Sequence, residues 1–300
     1  MRISTIQIQS VIYKNNIDAL RKAIEGIDNS VKVCREKGKP VEVVLCYGDA
    51  SPEAVLQDKD IDEIRKDYDG IEFKYEVFGY NSGTAKGHNI LGEKCTSDFM
   101  IIMNPDVILD GLCLWELVKP FSEEAVGMVE ARQTPLELAK IYNMQTLETE
   151  WASTACTIIR RDVFQKLNGF DFETFFMYCD DLDFSWRLRL EGYKIIYNPN
   201  AMVYHAKSLS NSGAWKPTPA EVYYSAEAAI LMAYKYSNLE RVEKLLNQFD
   251  RIGGEDEKKA ANNFRKRRSE GKLPTPIDSE HLVAKFIGDN YSLMRFGYNK

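Results

Sequence analysis

Asp180, Asp181 and Asp183 stand together at the start of an amphipathic run, and a histidine, His205, follows further along. A carboxylate can take the proton of an attacking hydroxyl, and carboxylate with imidazole can hold a divalent cation. The plainer reading is that acids in a first helical turn only complement the helix dipole. Adjacent positions on a helix do not share a face, so one of Asp180 and Asp181 should point into a site and the other away. Spacing leaves open which does. Asp183 sits one turn before Arg187, the arrangement of an ion pair, and Trp186 falls on the apolar stripe with Leu182 and Leu190.

These side chains need elements to hold them. The acids open a helix that Gly192 stops; 194–197 reads as a strand ended by Asn198-Pro199, and a second short strand, 201–204, delivers His205. Upstream, 6–12 reads as a strand, Asn16 or Asp18 as the cap of a helix reaching about 36, and VEVVLCY after Pro40 as a strand buried on both faces. A helix over about 56–68 and a strand over 71–77 follow. This β-α-β-α-β order predicts a mostly parallel sheet wrapped by helices, an α/β fold whose ligands gather at the carboxyl ends of the strands. At that edge stand Gly48-Asp49-Ala50-Ser51, the glycine-rich Tyr80–Asn89 stretch with Lys86, and Asn104-Pro105-Asp106 after the apolar run 99–103.

Composition narrows the class. The chain has 300 residues, 44% hydrophobic and 28% charged, with a net charge of −6, which argues against bulk nucleic-acid binding. Six cysteines without a CxxC pair indicate neither a zinc site nor a disulfide framework and suit a reducing, cytoplasmic setting. The N-terminus alternates like a strand and unlike a signal peptide, and no apolar run reaches membrane-spanning length. After His205 come a Ser/Asn/Gly/Pro-rich loop over 208–219 and helices over 220–236, 239–251, 256–269 and 279–289. The first is introduced by Thr218-Pro219-Ala220-Glu221, a capping box. Basic residues crowd the third helix, usually a solvated face and otherwise a weak site for anionic lipid.

In this order the motifs resemble the inverting family-two glycosyltransferases of GT-A fold, in particular those that build bacterial surface polysaccharides with rhamnosyl or galactofuranosyl transfer. The resemblance covers roughly 4–207 and rests on GDAS at 48–51, YNSGTAKGHN at 80–89, NPD at 104–106, GFDFETFFMYCDDLDFSWRLRLEGY at 169–193 and PNAMVYH ending at His205. Each motif is weak alone; their ordered combination is specific. It implies a catalytic domain over 1–215 and a helical region over 216–300 that serves acceptor, dimer or membrane contact.

The resemblance further implies a nucleotide-diphosphate-sugar donor, dTDP-rhamnose or a UDP-sugar, and a glycan or lipid-linked glycan acceptor. Mn²⁺ or Mg²⁺ would be held by Asp106 and His205, with neutral Asn104 at the position of the family's first acid. Asp181 is the implied base and Asp180 its neighbour. Asp49 would read the nucleoside, Tyr13 border the base, and Ser51, Asn81 and Lys86 line the donor site. Gly48 departs from relatives that carry a further acid there. One base without a covalent nucleophile implies inversion. Location would be cytoplasmic, at most peripheral to the inner face of the membrane. Two rivals remain: a sugar-nucleotide nucleotidyltransferase, disfavoured because Tyr13-Lys14-Asn15-Asn16 has no glycine, and an idle GT-A module acting as a scaffold.

Overall fold

The computed structural model describes residues 4–135, 137, 140–205 and 217–286. The chain begins with β1 (Ser4–Ile12), α1 (Ile17–Glu36), β2 (Val41–Asp49), α2 (Asp58–Asp67), β3 (Glu72–Val77), α3 (Gly83–Glu93) and β4 (Phe99–Met103). Asn16 caps α1: its side-chain oxygen accepts from the amides of Asp18 and Ala19 at 2.8 and 3.2 Å. Leu20, Ile24, Ile27 and Val31 then recur along one buried face of that helix. β5 (Val107–Leu109), α4 (Cys113–Val118), β6 (Val126–Thr134), β7 (Glu148–Thr149), β8 (Cys156–Arg160), α5 (Arg161–Lys166), α6 (Asp180–Leu190) and β9 (Lys194–His205) follow.

The strands form one sheet in the order β3-β2-β1-β4-β8-β6-β9-β5, with β7 on β9. β1 to β4 pair in parallel; β8 is antiparallel to β4 and to β6, and β6 is parallel to β9. The carboxyl ends of β1, β2, β3, β4, β6 and β9 therefore share one edge.

β9 corrects the expectation of two strands. Asn198-Pro199 does not end it: pairing with β6 jumps from Ala131↔Asn198 to Arg132↔Met202, and the strand resumes beyond the bulge. Proline has no amide to give the ladder, so it sits where residues are looped out. The Asn198 side-chain amide donates to the carbonyl of Glu116 at 2.9 Å, anchoring the bulge to α4.

α7 (Pro219–Lys235), α8 (Leu239–Ile252) and α9 (Glu255–Ser269) complete the described helices. α7 starts in the expected box, with Thr218 N donating to Glu221 Oε2 at 2.7 Å and Glu221 N to Thr218 Oγ1 at 3.3 Å. The helix expected over 279–289 is absent from its described part, 279–286. There the Asp278 carboxylate accepts from the amides of Leu282, Val283 and Ala284 at 2.7, 3.1 and 2.8 Å, closing a turn instead. Residues 287–289 lie outside the described residues, as does most of the loop expected over 208–219.

α6 is buried on two sides, which decides how its acids are placed. Phe184 and Leu188 pack toward the sheet with Phe164, Phe170 and Ile195. Leu182 and Trp186 join the core formed with α7, α8 and α9. Trp186 packs edge-on against Tyr236 and Phe286, with ring centroids 4.8 and 5.4 Å away, so it is core rather than a sugar platform. No helix of the described residues is long and apolar enough to cross a membrane. All six cysteines are free and buried.

Candidate active site

The parallel strands deliver Tyr13, Asp49 and Asn104 to one edge, because each follows or ends a strand there. α6 reaches the same edge from above. β9 starts at the opposite edge and is joined to α6 by a tight turn, so α6 must begin at the carboxyl side. Its first residues confirm this: Thr84, at the start of α3, points its hydroxyl at the Asp180 carboxylate, 3.4 Å away.

Between β5 and β9 the pairing is antiparallel, with Val107 opposite His205. Asp106, one residue earlier, thus meets the histidine, and Asp106 Oδ2 lies 3.5 Å from His205 Nε2. The Asn104 amide nitrogen is also 3.5 Å from Nε2. On the other side of the ring, Gln133 Oε1 stands 2.8 Å from Nδ1, so Nδ1–H donates and Nε2 keeps its lone pair toward Asp106. The 3.5 Å separation is long for a charge-assisted hydrogen bond, yet suits two ligands each about 2.1 Å from one small cation. Asn104 can turn its amide oxygen inward as a further donor. Among the described residues no cluster of three His, Cys, Asp or Glu side chains could hold a metal. A hard cation bound by one carboxylate and one imidazole needs its remaining oxygens from a ligand, and phosphates supply them. The residues present fit such an ion.

The donor-side residues are placed less uniformly. Tyr13 is 44% exposed at the rim. Lys86 lies over the rings of Tyr80 and Phe172, 5.1 and 5.7 Å from their centroids, and the Asn81 side-chain oxygen accepts from the Gly83 amide at 3.1 Å. Asp49 is fully buried: its oxygens accept from the amides of Ser51 (2.9 Å) and Val55 (2.7 Å) and from the Tyr75 hydroxyl. Ser51 is buried too, and its hydroxyl accepts from the Lys14 amide at 2.8 Å. Through these bonds the two residues brace the turns around Tyr13 and 51–55. Gly48 has a packing reason: a β-carbon there would lie 2.4 Å from the Phe78 ring, so any larger residue would have to displace that ring.

The three acids of α6 meet three environments. Tyr178 and Cys179, just before the helix, both hold left-handed backbone, φ +67° and +59°, a conformation costly for residues with a β-carbon. Asp180 is buried, and burial, then the neighbouring Asp181 charge, push its carboxyl up to about 7. Asp181 is half-buried, on the more open side. Asp183, fully buried, pairs with Arg187 at 2.8 Å, as its spacing predicts, and with Lys235 of α7 at 2.5 Å.

Sequence reasoning passed over Gln133, which belongs to no motif, and Thr84, which lies within YNSGTAKGHN but was not singled out there. Gln133 did leave a trace as a polar residue in the strand VGMVEARQT, where it is 5% exposed. The same strand buries Glu130 against Lys140, 2.7 Å away, and burial pushes the Glu130 carboxyl up to about 7.

No protein-family model matches the chain. Among curated proteins, it is 30% identical over 220 residues to the N-acetylglucosaminyl-diphospho-decaprenol L-rhamnosyltransferase of Mycobacterium tuberculosis, covering 57% of this chain and 68% of that protein. The chain belongs to the family-two glycosyltransferases, in their rhamnosyltransferase subset. This glycosyltransferase is also 25% identical over 157 residues to rhamnosyltransferase WbbL of Escherichia coli K12, covering 41% of the chain and 58% of WbbL.

Solved structures show the same GT-A fold. GalNAc-T7 with UDP, GalNAc and Mn²⁺ aligns at a TM-score of 0.63 and 14% identity, over 91% of this glycosyltransferase and 56% of that chain. A Pyrobaculum calidifontis mannosyltransferase with GDP-Man and Mn²⁺ aligns at 0.57 and 13%, over 94% and 79%.

Proposed function

We propose that this glycosyltransferase moves a rhamnosyl unit from dTDP-rhamnose, or a hexosyl unit from a UDP-sugar, to a hydroxyl of a glycan or lipid-linked glycan during bacterial surface-polysaccharide synthesis, with inversion. The pairing of β5 with β9 carries the reading, because it brings Asp106 to His205 at the edge where α6 presents its acids. The names of the mycobacterial and E. coli relatives support rhamnosyl transfer. Residues 1–215 would form the catalytic domain and 216–300 the helical region serving the acceptor.

Asp106 and His205, with Asn104 beside them, would hold Mn²⁺ or Mg²⁺, which when bound offsets the charge of the departing diphosphate. Mn²⁺ in two structural neighbours supports a divalent ion. Asp181 takes the proton of the acceptor hydroxyl as its oxygen bonds to the anomeric carbon; the bond from that carbon to the diphosphate breaks, and the electron pair leaves with the diphosphate. The dipole at the start of α6 steadies Asp181 as an anion before the proton arrives. Asp180 sits behind it as a buried neighbour whose own charge is suppressed.

A panel of nucleotide sugars, read by released nucleotide after metal removal and Mn²⁺ addition, tests this reading. The expected result is Mn²⁺-dependent turnover of dTDP-rhamnose, with His205→Ala raising the half-saturating Mn²⁺ concentration about 10- to 100-fold. No turnover of any donor, together with no thermal shift from Mn²⁺ and UDP or dTDP, would assign the chain to an idle module.

A further inference from the structure

Phe176 and Tyr224 stack on each other, centroids 4.8 Å apart and planes 28° apart, with Tyr223 edge-on to Tyr224 at 5.0 Å. Both stacked rings are half-buried, and among the described residues neither is part of the three apolar cores. Phe175, next in the chain to Phe176, does belong to the core shared with α7, α8 and α9. The pair therefore stands at the margin of the packed C-terminal helices.

The pair stands beside the acids. Phe176 closes onto the first residue of α3: a β-carbon on Gly83 would lie 2.5 Å from the Phe176 carbonyl oxygen and 2.9 Å from its ring. The next residue, Thr84, points its hydroxyl at Asp180. From Phe176 the chain passes through the left-handed pair Tyr178-Cys179 straight into Asp180 and Asp181. The Tyr178 hydroxyl donates to Glu221 Oε1 at 3.2 Å, tying this loop to the first turn of α7, one turn ahead of Tyr224. Rings and acids are thus held as one unit, with the Glu221 carboxylate at its border.

We propose that the Phe176–Tyr224 stack is the platform on which the acceptor sugar rests while its hydroxyl faces the acids of α6. This assignment rests on the proposed function, which puts the base there. A pyranose has a face of C–H bonds and a rim of hydroxyls, and aromatic side chains with a few polar groups form the sites that receive such molecules. The left-handed Tyr178-Cys179 link gives the strained backbone a purpose, because it fixes the angle between platform and base.

Saturation-transfer NMR tests the platform directly, using methyl glycosides of N-acetylglucosamine, glucose, galactose and rhamnose as probes on the full chain with dTDP and Mn²⁺. At least one glycoside should receive saturation from the native chain. Tyr224→Ala and Phe176→Ala should lose that signal, and Tyr224→Phe, which keeps the ring, should retain it. In turnover assays with the same glycoside, Tyr224→Ala should raise the acceptor KM tenfold or more, and Tyr224→Phe should keep it near the native value. The platform is overturned if no glycoside is saturated, or if alanine variants with native circular dichroism bind the probe as well as the native chain. A native chain that hydrolyses no donor would count against the proposed function, and the NMR result would still decide the platform.

Discussion

Asp49 and Asp180 are both shut off from solvent at the same end of the molecule, and their surroundings treat them differently. Asp49 closes a turn, its oxygens engaged by two backbone amides and a tyrosine hydroxyl. Asp180 also has backbone hydrogen bonds at the helix start and a threonine hydroxyl nearby, but burial and the adjacent Asp181 charge outweigh them and drive its proton affinity up. Asp183 shows a third solution, with charge met by Arg187 and Lys235. Carboxylates near one sheet edge are therefore met by amides, by cations or by another acid according to the fold around them, not according to their residue type.

The largest test of this contrast is Asp181→Asn. It should lower kcat about 1,000-fold, as expected for loss of a general base, and leave nucleotide affinity by calorimetry nearly unchanged. Full activity in that variant would remove Asp181 from the role. Asp49→Ala should act on the fold instead. Leaving two buried amides and a tyrosine hydroxyl without their acceptor should cost about 3 kcal/mol in urea unfolding, and activity at low temperature should survive to the extent that the protein stays folded.

Asp180→Asn is the smallest and most diagnostic change. A folded-state carboxyl raised to about 7 contributes stability that is fully present below the unfolded pKa of about 4 and is lost as pH rises through 7. The amide never ionises, so the variant should match the native protein near pH 4 and exceed it by about 1–3 kcal/mol at pH 8 in the same urea assay. Transfer should persist within tenfold. If it vanishes while Asp181→Asn remains active, the two acids exchange roles.

Much of the architecture was legible in residue patterns. Alternating and continuous apolar runs marked β1, β2 and β4, Thr218-Pro219-Ala220-Glu221 marked the start of α7, and the Asp183–Arg187 pair followed from helical spacing. Asn198-Pro199 misled because a local turn signal does not reveal that β6 is available to resume pairing after a bulge. The helix expected over 279–289 failed in its described part because one aspartate side chain captured the amides first. The bond from the Tyr75 hydroxyl to Asp49 joins residues of two strands, which no local motif reveals.

Periodicity, caps and turn residues act over a few neighbours, so the sequence by itself determined the order of elements, the edge at which the motifs gather and the helix that begins with acids. Distances between remote residues depend on pairing and packing. Only the tertiary structure decided that Asp106 meets His205, through the β5–β9 register, and that Gln133 orients the imidazole. It also decided which acid of α6 is buried. Asp180 lies against α3 and Asp181 stays more open, because α6 is pressed between the sheet and the C-terminal helices.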